Sequence, residues 1–253
     1  MLCFLLGSAG CIRIHAQQPV AAQPLNASVS DIGTTFVFSP PPICGGCLET
    51  ELGFQSVDDS RYVPGIATLA LPKGHTDFSL LANLLDSELA QDRRVAHFGQ
   101  RLDFLLRQQL VSKGGFEFTA APQGTVFLRG TAGGRVGASL APQYGRGKNL
   151  AVLNLTWTAA VGVSAANPRS DYLTLFDYFR TLQARGTALF LGFQQEVTAG
   201  RQTAAVEQGL VIPFRDGQVE LETAQLNLNY GVQAQFQARV IVNWGRVFRR
   251  ASR

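Results

Sequence analysis

Charge is scarce in this chain of 253 residues. Asp, Glu, Lys and Arg make up 16% of it, against about 25% in an ordinary soluble domain. The 22 basic and 18 acidic residues leave a formal charge of +4 and are scattered, apart from the pair Arg249-Arg250. No basic face forms, which argues against a nucleic-acid partner. No run of 18 apolar residues occurs, so a helical membrane span is excluded. Strand spans are not, because their alternating pattern never produces such a run.

The chemistry of sites is sparse as well. Of three histidines, His15 lies in the leading segment, leaving His75 and His97 for acid-base work or ligation. There is no Gly-x-Ser-x-Gly elbow. Gly145-Arg146-Gly147-Lys148 fails as a phosphate loop: Pro142 stands where the first glycine belongs, and Asn149 replaces the hydroxyl that would hold magnesium. It reads as a hairpin turn. His75 near Asp77 is the only candidate general base, and an exposed loop histidine is the commoner finding. The expectation is a protein that is not an enzyme and uses no cofactor.

What is abundant is glycine, with 26 residues, and a hydrophobic content of 46%, set beside many uncharged Gln, Asn, Ser and Thr. Residues 1–16 combine a short apolar run, Leu2 to Leu6, with the small residues Gly7 to Gly10 and Ala16, and are expected to be a signal peptide. Cys11 after Ser8-Ala9-Gly10 offers a weaker lipid-attachment reading. Residues 17–47 are expected to be a Pro-rich periplasmic leader that ends in Cys44-Gly45-Gly46-Cys47. That pair reads as a local disulfide in an oxidising compartment. The alternatives are a metal site that recruits His75 and His97, or free thiols.

From residue 48 the period is two. Val232, Ala234, Phe236, Ala238, Val240, Val242 and Trp244 alternate with Gln233, Gln235, Gln237, Arg239 and Asn243. Leu153, Leu155 and Trp157 likewise alternate with Asn154, Thr156 and Thr158, and Leu48, Thr50, Leu52 and Phe54 with Glu49, Glu51 and Gln55. Further strands are expected at 98–111, 115–121, 124–130, 134–144, 171–183, 187–199, 203–212 and 217–224. Residues 78–89 also fit an amphipathic helix, but their flanks favour a strand. Soluble strands average about 5–6 residues and bilayer-crossing ones about 9–11; the best segments here exceed ten. Tyr144, Tyr172, Tyr230 and Trp244 fall near strand ends, where an interfacial girdle would put them.

The segments Leu48-Glu49-Thr50-Glu51-Leu52-Gly53-Phe54 and Gln208 to Glu222, with the closing strand from Gly231, resemble an outer-membrane transporter family named for the meta pathway of phenol degradation. The resemblance runs from about residue 48 to 245. It implies a barrel and uptake of hydrophobic or aromatic molecules, and it brings no catalytic residues.

The expected fold is an all-β, up-and-down transmembrane β-barrel of roughly 10–12 antiparallel strands over residues 48–248, in the bacterial outer membrane. Its expected partners are the lipid bilayer and a small solute, neutral or aromatic, crossing a polar but weakly charged lumen. Glu49, Glu51, Asn154, Thr156, Thr158, Gln233, Gln235, Gln237 and Arg239 are expected to face the lumen. Leu153, Leu155, Trp157, Phe236, Val240 and Val242 are expected to face lipid. A wider interior set adds Glu117, Glu207, Glu220 and Glu222 with Arg101, Arg107 and Arg135. The rivals are a soluble barrel around an apolar ligand, which needs the two faces exchanged, and a barrel enzyme, which needs a Ser, His and acid set near one rim.

The disulfide reading predicts that Cys44 and Cys47 alkylate only after reduction, and that their shared peptide gains two hydrogens in mass on reduction. Alkylation of both thiols without reductant in exported protein would contradict it.

Overall fold

The computed structural model describes residues 44–57, 60–90, 93–97, 99, 101–128, 134–161, 170–182, 186–198, 201–228 and 231–247. The expected signal segment, most of the leader, Cys11 and Tyr230 lie outside them. The strands are β1 (Cys47–Val57), β2 (Ser60–Ala70), β3 (Thr76–Ala90), β4 (Arg93–His97), β5 (Arg101–Lys113), β6 (Phe116–Phe127) and β7 (Gly134–Arg146). They continue with β8 (Asn149–Val161), β9 (Ser170–Thr181), β10 (Ala188–Thr198), β11 (Arg201–Phe214), β12 (Gly217–Leu228) and β13 (Gly231–Arg246).

Apart from β4 and β5, each strand pairs antiparallel with its neighbour in the chain, and β1 closes on β13 from Cys47↔Arg246 to Val57↔Gln235. The pieces β4 and β5 both pair with β3, at Asp86↔His97 and Ala82↔Leu102 respectively. They act as one wall strand interrupted at 98–100, so the structure is a closed barrel of 12 strands. Residues 78–89 belong to β3, within the fifteen-residue strand that the flanks favoured.

One expectation needs correction. Residues 115–121 and 124–130 are not two strands, because β6 runs unbroken through Pro122-Gln123-Gly124. Proline lacks the amide that a ladder uses, but Pro122 still sits in register with Ala138 of β7, and the neighbouring residues carry the ladder past it. Pro64 disturbs β2 more, with a register shift between Val63 and Pro64 against β3.

The turns near the chain ends of the barrel are tight. Gly114 and Gly115, with φ of 62° and 87°, join β5 to β6 in the left-handed conformation that two-residue hairpins require. Gly147-Lys148 and Arg215-Asp216 make the corresponding turns at β7–β8 and β11–β12. At the same end Cys44 and Cys47 are disulfide-bonded with Cα atoms 5.4 Å apart. The Gly46 amide donates to Leu71 at 3.2 Å, and its carbonyl accepts from Val247 at 2.9 Å. The CGGC segment thus ties the β2–β3 turn to the end of β13.

The pleat sends alternate residues outward and inward, and polarity follows it in inverse order to a soluble protein. Among the described residues 27 polar or charged side chains are buried against 17 apolar ones, while 34 large apolar side chains are exposed. Such a surface is incompatible with water at this extent, and it excludes the soluble barrel, whose faces would be exchanged. Leu155, Trp157, Phe236 and Val240 lie exposed on the outside; Leu153 and Val242 are half-buried there. Phe116, Tyr144, Tyr178, Phe214 and Trp244 ring the end that carries the chain termini, and Trp157 pairs with Tyr172 toward the other. Thirteen residues of β8 rise roughly 43 Å, and at a tilt of about 40° they cross about 33 Å, enough for the apolar band of an outer membrane.

Leu155→Arg should therefore destabilise the barrel by about 2–4 kcal/mol in liposomes, while Leu155→Phe should leave it within about 0.5 kcal/mol. Urea unfolding, followed by heat-modifiable gel mobility, measures both; an Arg variant as stable as the Phe variant would contradict an outward, lipid-facing Leu155.

Candidate functional site

The pleat of β1, β8 and β13 turns Glu49, Asn154, Thr156, Thr158, Gln235, Gln237 and Arg239 inward, where all are buried, with Glu51 half-buried beside them. The side chain of Gln233 lies outside the described residues. The interior is crowded: Arg239, Phe179, Leu81, Gln55, Gln237 and Glu207 are among its largest fully shielded side chains.

Four arginines organise this space. On β5, Arg107 grips Asp77 of β3 with two hydrogen bonds, Nε to Oδ1 at 2.7 Å and an Nη to Oδ2 at 2.8 Å. The strands set this up directly, since Asp77 and Arg107 are cross-strand partners. Arg101 stands 3.1 Å from Asp103, which also accepts from Thr125 at 2.5 Å. Arg135 donates to Thr158 at 2.9 Å and meets Asp171 at 2.5 Å. Arg239 bridges β1 and β12: it donates to Glu51 at 2.8 Å and contacts Glu220 at 2.6 Å, while Gln218 also donates to Glu220 at 2.6 Å. Hydroxyl and amide pairs fill the gaps, Thr68 with Ser79 at 2.8 Å, Ser139 with Thr156 at 2.7 Å, and Gln143 with Glu117.

A second region carries acids without arginine contacts of this kind. Asp177 of β9 and Glu207 of β11 both stand in register with Gly192 of β10, and Glu222 of β12 stands opposite Gly209 of β11. Beside them, toward the chain-terminus end, lies an apolar cluster of Leu150, Val152, Phe179, Ala188, Phe190 and Val211, with the two Phe rings 5.2 Å apart.

The expected weakly charged lining is therefore corrected. Eight carboxylates are buried among the described residues against three guanidinium groups. Cross-strand pairing stacks the few charges of the sequence on one face, which their scattered positions conceal. Of the wider interior set Glu207, Glu220, Glu222, Arg107 and Arg135 are buried and Glu117 and Arg101 half-buried, while the buried Asp77, Asp103, Asp171 and Asp177 were not in it. In β9 both faces are apolar, Leu173, Leu175 and Phe179 inward and Tyr172, Phe176 and Tyr178 outward, so alternation could not assign Asp177 a side. His75 does not meet Asp77 as a base would: it is exposed in the β2–β3 turn, with Nδ1 3.3 Å from the Gln109 side chain, while Asp77 is held by Arg107.

No family model matches the chain, the phenol-pathway transporters included, and no curated protein matches it. Solved structures do. A KdgM porin in complex with disordered oligogalacturonate aligns with a TM-score of 0.59 at 8% identity, over 78% of this chain and 99% of that one. The NanC porin aligns at 0.55 and 6% identity, over 77% of this chain and 98% of the other. The fold is that of the bacterial outer-membrane porins. The identities are so low that the likeness rests on strand number, order and closure, and sequence shared with a porin plays no part in it.

The porin-like interior places its ion pairs out of water, where removing one partner is far costlier than removing both. Arg107→Leu should cost about 3–5 kcal/mol of barrel stability by stranding Asp77, and Asp77→Leu/Arg107→Leu should recover most of it. A double variant as weak as the single one, in urea titrations of the liposome-inserted protein, would show that the pair is not buried as a unit.

Proposed function

We propose that this chain is a passive channel for small solutes in the bacterial outer membrane, preceded by an export signal in 1–16 and a periplasmic leader beyond it. One observation supports this above the rest: an apolar outer face encloses a closed ring of strands whose inner face is predominantly polar and charged, interrupted by apolar clusters around Phe179 and Leu81. That division of surfaces is what a water-compatible path through a bilayer requires. The sequence favoured neutral or aromatic solutes because a weakly charged lining imposes little barrier or attraction. Eight buried carboxylates against three guanidinium groups remove that reason, whereas the apolar cluster around Phe179 and Phe190 keeps an apolar body plausible in the solute.

The path is narrow. Arg239 reaches from β13 to Glu51 and Glu220 on both flanking strands and is itself fully shielded. Passage requires that side chains such as this one yield, so the unmodified channel should have low conductance.

Arg239→Gln removes the longest of these side chains and keeps a hydrogen-bonding group. It should raise single-channel conductance in planar bilayers at least about twofold and strengthen cation preference, because Glu51 and Glu220 lose their counter-charge. Absence of any current from wild type and variant alike, with folding established by heat-modifiable mobility, would refute the channel.

A further inference from the structure

We propose that Asp177, Glu207 and Glu222 form a binding site inside the barrel for a small organic cation, an alkyl- or arylammonium. The proposal rests on the channel reading and names its class of solute. A Cβ built on Gly192 would lie 2.2 Å from Oδ1 of Asp177 and 2.5 Å from Oε1 of Glu207. Both oxygens thus converge over the one position between them that carries no side chain. Glu222 stands one strand further on, opposite Gly209 of β11.

A group of acids alone would carry little weight. What points to a ligand is that all six of their carboxylate oxygens are buried with no hydrogen-bond donor, on side chains whose residues are 0, 1 and 2% exposed. Elsewhere in the same interior, Asp77, Asp103, Asp171, Glu51 and Glu220 each meet an arginine. Arg239 directs its contacts to Glu51 and Glu220. Carboxyl groups in mutual contact out of water must either hold protons or take positive charge and N–H donors between them. Among the described residues no group of His, Cys, Asp or Glu has an arrangement that would hold a metal ion, so an N–H cation suits the site better.

The neighbouring side chains indicate the rest of the solute. Phe179 and Phe190 follow and precede Asp177 and Gly192 by two residues and are themselves cross-strand partners. The Phe190 ring lies over Gly209, where a Cβ would come within 2.3 Å of Cε1. An ammonium seated on the acids would therefore have ring faces and aliphatic groups beside it, which favours a cation with an apolar body.

Calorimetric titration of benzylammonium into barrel refolded in detergent micelles tests the site, with benzyl alcohol and benzoate as neutral and anionic probes of the same shape. Benzylammonium should bind at least about tenfold more tightly than benzyl alcohol, and Glu207→Gln should weaken it roughly tenfold. Gly192→Ala keeps every charge but displaces both flanking carboxylates, and should weaken it similarly. Equal affinity for ammonium and alcohol, as protons shared among the acids would give, overturns the proposal. Unchanged affinity in folded Glu207→Gln also overturns it. Planar-bilayer currents separate the two readings: ammonium binding without current sinks the channel and keeps the site, whereas current without ammonium preference does the reverse.

Discussion

Every backbone amide and carbonyl within a bilayer must find a partner in the protein, and the pairing of β1 with β13 is where this chain meets that demand. Without it two strands would present a full ladder of unpaired groups to hydrocarbon, each costing several kcal/mol. With it the sheet has no edge. The inverted distribution of polarity follows, because a closed ring in lipid has one apolar surroundings and one enclosed space. Leu155 and Phe236 meet the first and Asn154 and Gln237 the second, although each is a sequence neighbour of a residue on the opposite face.

The closed wall also tolerates irregularity only where the ladder can bend around it. Pro64 in β2 coincides with a register shift, and on the next strand, β3, Asn83 faces the break between β4 and β5, where the Gly99 amide donates to its carbonyl at 3.2 Å. These disturbances lie side by side in the wall, close to Leu84 on its outer surface. Pro122 in β6 passes with less effect, its neighbours carrying the register with β7.

Enclosure changes what a charge does. In water a scattered set of acids would be solvated and uninformative; inside twelve strands the same residues face one another across a space their own side chains fill. Arginines 101, 107, 135 and 239 offset part of the carboxylate charge through short contacts, and Asp177 and Glu207, which those contacts do not reach, meet over Gly192. Among the described residues buried acidic side chains outnumber buried arginines, although the whole chain carries +4. Net charge read from composition does not reveal that imbalance.

Period-two alternation over strands longer than ten residues pointed to a membrane barrel, and it gave residues such as Trp157, Gln237 and Arg239 an expected face, since side-chain direction in a strand depends only on position along it. The turn at Gly147-Lys148 marked a hairpin for the same local reason. What lay beyond it was anything that depends on which strands become neighbours. The continuity of β6 through Pro122 depended on the ladder of an adjacent strand. The inward side of Asp177 was hidden because both faces of β9 are apolar. The approach of Asp177 and Glu207 over Gly192 joins β9 and β11 across β10. Alternation is written within one strand; register, and with it the electrostatics of the interior, is a relation between strands that only closure of the sheet decides.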